Sequence, residues 1–473
     1  MGARSRDSGA AVPPRPRLRR TAAVLVALAV VGSSGTATGL TVRTLTGRDI
    51  PAPAPVAIVA PVPALGPLAA AAPTATATGV GGVLGPLAAA RGLGDFTGSV
   101  TDPATGSVLW SQDAGTPLVP GSTAKLLTAS AALLTLDPTD RLATRVVSGP
   151  DPGTVILVGG GDPTLTALPL DKTGVYPDPA RLTTLADAVR KAATTPVRRV
   201  LVDTSRFTGP TLQPTWDPAD VAGGFVTPIE PLMLDGGRKD PTQEDGARVD
   251  DPALTAGRAL AGLLGADAGS VAEATAAPDA RVLGMVTSAP ISDLVEHAIR
   301  ASDNVLAEVL AREVAIERNA DPSFEGATAQ TLLALSQAGF DTTGAQLVDG
   351  SGLSFDDKVP AQLLGAVLAQ AAAPAQGARD TQFLRPILTG LPVAGGDGTL
   401  VDRFASGSPS ASGRGVVRAK TGTLTGVSSL AGIVTDADGR LLVFALMSNG
   451  VNPGLVRPRL DAFAAQLSRC GCR

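Results

Sequence analysis

Ser122 and Lys125 are the first residues whose types and spacing could do chemistry. A serine hydroxyl becomes a nucleophile when a neighbouring base accepts its proton, and a desolvated lysine can be that base, whereas an arginine stays protonated. The chain has 39 Lys and Arg residues, of which only six are lysine. On a helix, a spacing of three residues places both side chains on one face. The pair therefore predicts a lysine-activated serine.

The only histidine in the chain, His297, leaves little room for a serine–histidine mechanism. Residues 292–300 have the pattern of an amphipathic helix, so we interpret His297 as a surface or packed helical residue. With one histidine and only Cys470 and Cys472, the chain has too few ligands for a usual zinc site, and we expect no metal or cofactor. We interpret the cysteine-containing tail as frayed.

Two further motifs follow the serine–lysine pair along the chain: Ser-Asp-Asn at 302–304 and Lys-Thr-Gly at 420–422. A second Lys-Thr-Gly occurs at 172–174, in a turn-rich loop that precedes Ser302. Lys420 instead follows a strand pattern that leads into a hairpin, and a strand edge can bind an extended peptide. We therefore predict that Lys420 is functional and that the copy at Lys172 is a coincidence.

The three motifs in this order resemble the signature of penicillin-binding proteins and serine β-lactamases. Four further phrases, at residues 159–165, 202–207, 349–354 and 392–400, are similar to those of the D-alanyl-D-alanine carboxypeptidase/endopeptidase family, the class C low-molecular-mass penicillin-binding proteins. The resemblance extends from about residue 80 to residue 468.

The resemblance implies roles for the motif residues. Ser122 is the implied nucleophile and Lys125 its base, and the implied oxyanion hole consists of the backbone N–H groups of Ser122 and Thr423. The implied catalytic residues are Ser122, Lys125, Ser302, Asn304 and Lys420. The implied substrate-binding residues are Thr421, Gly422 and Thr423. The implied substrate is a peptidoglycan peptide ending in D-Ala-D-Ala, and β-lactams would acylate the same serine.

Strand patterns at both ends of the folded part, with helical patterns such as 122–136 and 291–317 between them, favour an α+β fold. The resemblance implies the penicillin-binding/serine β-lactamase-like transpeptidase fold, an antiparallel sheet flanked by helices. Ser122 and Ser302 lie 180 residues apart, which indicates an inserted second domain of α/β type. We predict a discontinuous catalytic domain at 81–145 and 286–473, with the inserted domain at 146–285.

The N-terminus has a basic stretch followed by an apolar run over residues 21–32. This pattern is typical of a signal peptide. The 22 residues between Arg20 and Arg43 carry no charge, which is long enough for an uncleaved anchor that contacts the membrane. We predict a leader at 1–42, a Pro/Ala/Thr-rich linker at 43–80 and an extracytoplasmic location. The net charge of −4 and the lack of a basic stripe elsewhere argue against nucleic acid as a partner.

Several alternatives stay open at this point. The motifs do not separate a carboxypeptidase from a D,D-endopeptidase. A non-catalytic module that binds wall peptides could use the same fold, although it would not need a proton-accepting lysine. A class A β-lactamase is disfavoured because no Glu-x-x-Leu-Asn sequence occurs between Asn304 and Lys420.

Overall fold

The computed structural model describes residues 72–374 and 381–473. The predicted leader at 1–42 and most of the predicted linker lie outside the described residues. The described residues all belong to one compact unit, 67–473. Within them, no helix is both long and apolar enough to cross a bilayer.

The strands of the described residues, in chain order, are β1 (Asp95–Asp102), β2 (Ser107–Gln112), β3 (Pro117–Leu118), β4 (Arg141–Ser148), β5 (Thr154–Val158), β6 (Arg199–Asp203), β7 (Ala272–Glu273), β8 (Val282–Pro290), β9 (Val359–Pro360), β10 (Arg418–Leu424), β11 (Val427–Thr435) and β12 (Leu441–Asn449). The helices are α1 (Ala77–Ala88), α2 (Lys125–Thr135), α3 (Leu182–Ala192), α4 (Pro218–Ala222), α5 (Pro252–Leu264), α6 (Ile291–Arg300), α7 (Asn304–Glu317), α8 (Phe324–Gln337), α9 (Ala361–Ala372), α10 (Arg385–Thr389) and α11 (Pro453–Arg469).

The main sheet joins the two ends of the folded chain. Its strand order is β10-β11-β12-β1-β2, and each neighbouring pair is antiparallel. The hairpin β11–β12 turns at Asp436, whose carboxylate accepts hydrogen bonds from the N–H groups of Asp438 and Arg440. Helices α2 and α9 pack on one side of this sheet and α1 and α11 on the other. The predicted α+β class, with an antiparallel sheet flanked by helices, is confirmed.

A second five-stranded sheet has the order β7-β6-β5-β4-β8, in which β5, β6 and β7 are parallel. Helices α3 and α5 cover it through a core of buried Leu, Val and Ala side chains. Pairing of β4 with β8 continues to Arg141 and Pro290, so the sheet extends past the predicted limits of 146 and 285. We call residues 141–290 the second-sheet region.

The structure divides two predicted helices. Residues 121–124 form a 3₁₀ turn that carries Ser122, and α2 begins only at Lys125. The predicted helix over 291–317 is broken between α6 and α7. Ser302 there has a φ of 60°, in the left-handed region that non-glycine residues rarely adopt, and Asp303 caps α7. A periodic apolar pattern does not reveal such breaks, because the residues on both sides remain helical.

Two predictions about the chain ends need correction. The predicted linker reached residue 80, but α1 begins at Ala77 and buries Val80 and Leu84 in the core beneath the sheet. The predicted frayed tail is instead ordered. Cys470 and Cys472 form a disulfide and are both buried. The Cys472 carbonyl accepts a hydrogen bond from the Thr76 N–H at 2.6 Å, so contacts between the two chain ends order both segments.

Candidate active site

A cleft of about 330 Å³ lies where the three motifs meet. The described residues outside 141–290 form what we call the main-sheet part of the chain. This part lines the cleft with Ser122, Ser302, Asn304, Thr421 and Thr423. The second-sheet region contributes Phe225 and Arg238. All three sequence motifs are therefore brought together in one cavity, and the second-sheet region forms part of its wall.

Lys125 lies at the centre of the polar network. Its Nζ is 3.0 Å from Ser122 Oγ, 2.5 Å from Asn304 Oδ1 and 2.7 Å from the Ser351 carbonyl oxygen. Ser122 is half-buried, and Lys125 is fully buried among the apolar residues of α2. These contacts fix the amine beside the serine hydroxyl, within the range required of a nucleophile–base pair.

The surroundings of Lys125 favour an amine that can accept a proton near neutral pH. Burial lowers the pKa of Lys125 to about 8, although the carboxylates of Asp349 and Glu308 oppose this shift. Burial also raises the pKa of Glu308 to about 8, and the charge of Asp349 adds to that shift. Because its pKa is raised, Glu308 gives less support to the charged form of Lys125 than an ordinary glutamate would, which favours the lysine as a base.

Strand β10 lies directly against the turn that carries Ser122. A Cβ atom on Gly422 would be 2.3 Å from the Pro120 carbonyl oxygen and 3.1 Å from the Ser122 nitrogen. A Cβ on Gly121, which has a φ of +54°, would be 2.9 Å from the Thr423 nitrogen. Glycine is required at both positions because any side chain would separate the strand from the turn. The backbone nitrogens of Ser122 and Thr423 are therefore neighbours, as an oxyanion hole requires.

Lys420 is buried beside the second motif. Its Nζ donates to Ser302 Oγ at 2.7 Å and to the Thr421 carbonyl at 3.0 Å. Burial lowers the pKa of Lys420 well below its usual value, and the nearby Lys125 adds to the effect. Because β10 is an edge strand of the main sheet, its free side faces the cleft and can accept an extended peptide.

The copy of the third motif at 172–174 does not take part in the site. Lys172 is exposed in a loop of the second-sheet region, and its backbone carbonyl accepts a hydrogen bond from Arg181. His297 does not line the cleft either: it lies half-buried on α6, with its ring centroid 5.2 Å from that of Tyr176. Burial lowers its pKa.

The motifs alone did not identify several residues of the site. The Asp349 carboxylate accepts four hydrogen bonds, from the indole of Trp216 and from the N–H groups of Ser351, Gly352 and Ser354. These bonds hold the loop whose Ser351 carbonyl contacts Lys125. Thr399 accepts a hydrogen bond from Thr421 at 2.8 Å. Asp349 and Thr399 lie in phrases 349–354 and 392–400. The resemblance of these phrases to the family was the one signal in the sequence that could have indicated the two residues.

Arginines at the end of the cleft were missed as well. Arg403 and Arg457 line the cavity beside Thr399 and Thr421. Arg403 forms an ion pair with Asp461 through a bidentate contact. Arg457 has no hydrogen-bond or ion-pair partner among the described residues, and its Nε is buried. Single arginines in an arginine-rich chain carry no pattern that would have indicated them.

The chain matches the model of the D-Ala-D-Ala carboxypeptidase 3 (S13) family over residues 87–247 and 241–469. It is 46% identical over 401 residues to a carboxypeptidase of Mycobacterium tuberculosis, covering 84% of this chain and 86% of that protein. It is 29% identical over 455 residues to a D-alanyl-D-alanine carboxypeptidase of Actinomadura, covering 78% and 80% of the two chains.

Among solved structures, penicillin-binding protein 4 of Haemophilus influenzae superimposes with a TM-score of 0.67 at 21% identity, covering 82% of this chain and 99% of that one. The predicted penicillin-binding fold is thus confirmed. The family match extends over both the main-sheet part and the second-sheet region, so the chain belongs to the D-Ala-D-Ala carboxypeptidase 3 (S13) family.

Proposed function

We propose that this protein is a serine D-Ala-D-Ala carboxypeptidase that removes the terminal D-Ala from peptidoglycan stem peptides through an acyl-enzyme on Ser122. The observation that carries the proposal is the 3.0 Å contact of Lys125 Nζ with Ser122 Oγ, made by a buried amine whose pKa is lowered to about 8. A binding module would not need a desolvated base beside a hydroxyl.

In the acylation step, Ser122 Oγ attacks the carbonyl carbon of the penultimate D-Ala while neutral Lys125 accepts the hydroxyl proton. The carbonyl oxygen becomes an oxyanion that the N–H groups of Ser122 and Thr423 stabilise. The C–N bond to the terminal D-Ala then breaks. The leaving amine takes up, by way of Ser302, the proton that Lys125 accepted, so Lys125 is neutral again; Ser302 lies within hydrogen-bond distance of Lys420.

Deacylation consumes one water molecule. The water attacks the ester carbon, and its proton passes to Lys125 and returns to Ser122 Oγ when the ester bond breaks. The products are the shortened peptide with a new carboxylate and the free enzyme. No cofactor takes part in either step.

Substrate binding follows from the remaining cleft residues. Asn304 would hold the backbone amide of the peptide, and β10 would pair with it along its free edge. Thr421 and Thr423 would bind the terminal carboxylate, with Gly422 allowing the strand to approach the nucleophile. Lys420 adds positive charge there, because an incoming carboxylate favours the charged form of the buried amine.

The cellular location and the choice between carboxypeptidase and D,D-endopeptidase activity are part of the same proposal. A peptidoglycan substrate requires an extracytoplasmic enzyme, and the predicted leader at 1–42 would export the chain or hold it at the membrane. A D,D-endopeptidase acting on cross-links would use the same groups. Mass spectrometry of wall fragments before and after treatment separates loss of a terminal D-Ala from cleavage of a cross-link.

The central test is Ser122→Ala. The native protein is expected to be labelled covalently by a fluorescent penicillin and to release D-Ala from a stem pentapeptide, whereas the variant does neither while it melts at a similar temperature. Covalent labelling of the folded Ser122→Ala variant would refute the assignment of the nucleophile.

A further inference from the structure

The Ser302–Asn304 motif occupies a strained break between two helices. Ser302 has a φ of 60°, a conformation that is unfavourable for a non-glycine residue and persists only when its surroundings enforce it. Ser302 Oγ accepts the hydrogen bond from Lys420, and Asn304 Oδ1 accepts the one from Lys125. The geometry of both lysines therefore depends on what holds this break.

Asp303, the middle residue of the motif, provides the anchor. One carboxylate oxygen caps α7 by accepting a hydrogen bond from the Leu306 N–H at 2.8 Å. The other oxygen accepts hydrogen bonds from the Tyr176 hydroxyl at 2.8 Å and from Arg238 at 2.9 Å. Tyr176 and Arg238 both belong to the second-sheet region, so this region holds the motif through a single carboxylate.

Arg238 is itself rigidly placed. It donates to the carbonyl oxygens of Glu244 at 3.0 Å and Asp235 at 3.1 Å, and its guanidinium lies over the Tyr176 ring, 5.0 Å from the ring centroid. The side chains of Arg238 and Asp303 are 3% and 1% exposed. A buried ion pair of this kind fixes geometry, and loss of one partner leaves an uncompensated charge in the interior.

The second-sheet region also orients Asn304. The Phe225 carbonyl accepts a hydrogen bond from Asn304 Nδ2 at 3.0 Å. A carbonyl can only accept, so the amide nitrogen must point to Phe225 and the amide oxygen must point to Lys125. Asp303 and Asn304 are thus both in contact with the second-sheet region, which is inserted between Ser122 and Ser302.

We propose that Arg238, together with Tyr176, is a positioning residue, and that the second-sheet region clamps the Ser302–Asn304 motif in the geometry needed to acylate Ser122. This inference rests on the proposed function. Although Arg238 borders the cleft, its side chain is only 3% exposed, so we assign its effect to Asp303, through which it acts on Ser302 and Asn304.

The test compares two arginines of the second-sheet region that pair with neighbouring parts of the chain. Arg238→Gln removes the clamp. Arg206→Gln, the matched control, removes the ion pair between Arg206 and Glu313. This pair joins the second-sheet region to the C-terminal end of α7, and neither residue lines the cleft. The rate of acylation by a fluorescent penicillin is divided by the concentration of active sites, which is titrated beforehand. The measurement is made well below the melting temperatures of both variants.

Arg238→Gln is expected to slow acylation roughly 10- to 100-fold, the loss typical of a misplaced catalytic group. Arg206→Gln is expected to lower the melting temperature and to leave acylation within about twofold of the native rate, as a change remote from the chemistry should. Arg238→Lys keeps a positive charge beside Asp303, so this variant is expected to acylate faster than Arg238→Gln.

A double variant adds a second readout. In Arg238→Gln with Asp303→Asn, the buried carboxylate that lost its partner is replaced by a neutral amide. Its oxygen can still accept from the Leu306 N–H, and its nitrogen can donate to the Tyr176 hydroxyl oxygen. We expect this variant to acylate faster than Arg238→Gln alone. Native-rate acylation by Arg238→Gln, or an equal slowing by Arg206→Gln, would overturn the clamp. Failure of the native protein to be labelled would instead count against the proposed function.

Discussion

Lys420 Nζ lies 2.7 Å from Ser302 Oγ, and no carboxylate forms an ion pair with this buried lysine in residues 72–374 and 381–473. Burial without a counter-charge is unfavourable for an ammonium group, which is why the pKa of Lys420 falls well below its usual value. The site therefore holds a buried amine whose charged form an anionic ligand would stabilise.

Lys420→Met should consequently separate stability from activity. The apolar side chain removes a desolvated amine, so we expect an unchanged or slightly higher melting temperature. Acylation by a D-Ala-D-Ala peptide should fall by roughly 100-fold, because one charge-assisted contact in a dry site is lost. Lys172→Met, in the exposed copy of the motif, is the control and should leave both quantities unchanged. A slow Lys172→Met variant would contradict the assignment of the third motif.

Acylation should depend on pH through Lys125. The neutral amine is the reactive form, and with a pKa of about 8 only about one tenth of the lysine is neutral at pH 7. The rate of penicillin acylation at low probe concentration should therefore rise with pH through about 8 and then level off. Lys125→Arg should abolish labelling, since arginine stays protonated. A rate that is flat between pH 6 and pH 9 would exclude Lys125 as the titrating base.

Gly352 controls the approach of the loop that contacts Lys125. It has a φ of +80°, and a Cβ there would lie 2.0 Å from the Gly121 carbonyl oxygen, next to the nucleophile. Gly352→Ala should lower the free energy of unfolding by roughly 2–5 kcal/mol, from backbone strain and overpacking together, and should impair acylation. Gly407→Ala, at a φ of +81° in open space, adds only the strain of roughly 1–2 kcal/mol. Denaturant unfolding of both variants checks the difference.

Arg457 has no hydrogen-bond or ion-pair partner in the described part of the chain, and it lines the cleft together with Thr421 and Thr423, the proposed carboxylate-binding residues. Arg457→Gln should weaken binding of peptides with a free terminal carboxylate by roughly 10-fold or more, the value of one charge-assisted hydrogen bond. The same peptides with an amidated terminus should bind equally well to both proteins. Arg469→Gln, on the exposed last turn of the same helix, is the control. An equal loss for both peptides would show that Arg457 acts on the fold and not on the carboxylate.

The disulfide of the tail should contribute to stability and not to catalysis. Cys470 and Cys472 pack beneath the main sheet together with α1, and neither lines the cleft. Replacing both with Ser should reduce the free energy of unfolding by about 1–3 kcal/mol, and reductant should lower the melting temperature of the native protein alone. Penicillin labelling below the melting temperature should be unaffected, and a loss of labelling there would disprove the separation of tail and site.

The sequence by itself determined which groups are candidates for the chemistry and in what order they occur. Ser122, Lys125 and Lys420 were identifiable because lysine is scarce in the chain and because their motifs are short. Within a short motif, the local helix or strand fixes which side chains lie on the same face. The strands at both ends were also readable, since alternating apolar residues around turns are a local signal.

Only the tertiary structure decided how those groups are held. The break at Ser302, the clamp of Asp303 by Tyr176 and Arg238, and the contact of Thr76 with the Cys472 tail all join residues that are far apart in the chain. Such contacts depend on which surfaces pack together and leave no periodic trace in either segment. The nucleophile pair is local in sequence and could be predicted, whereas the geometry that makes it reactive depends on packing across the whole fold.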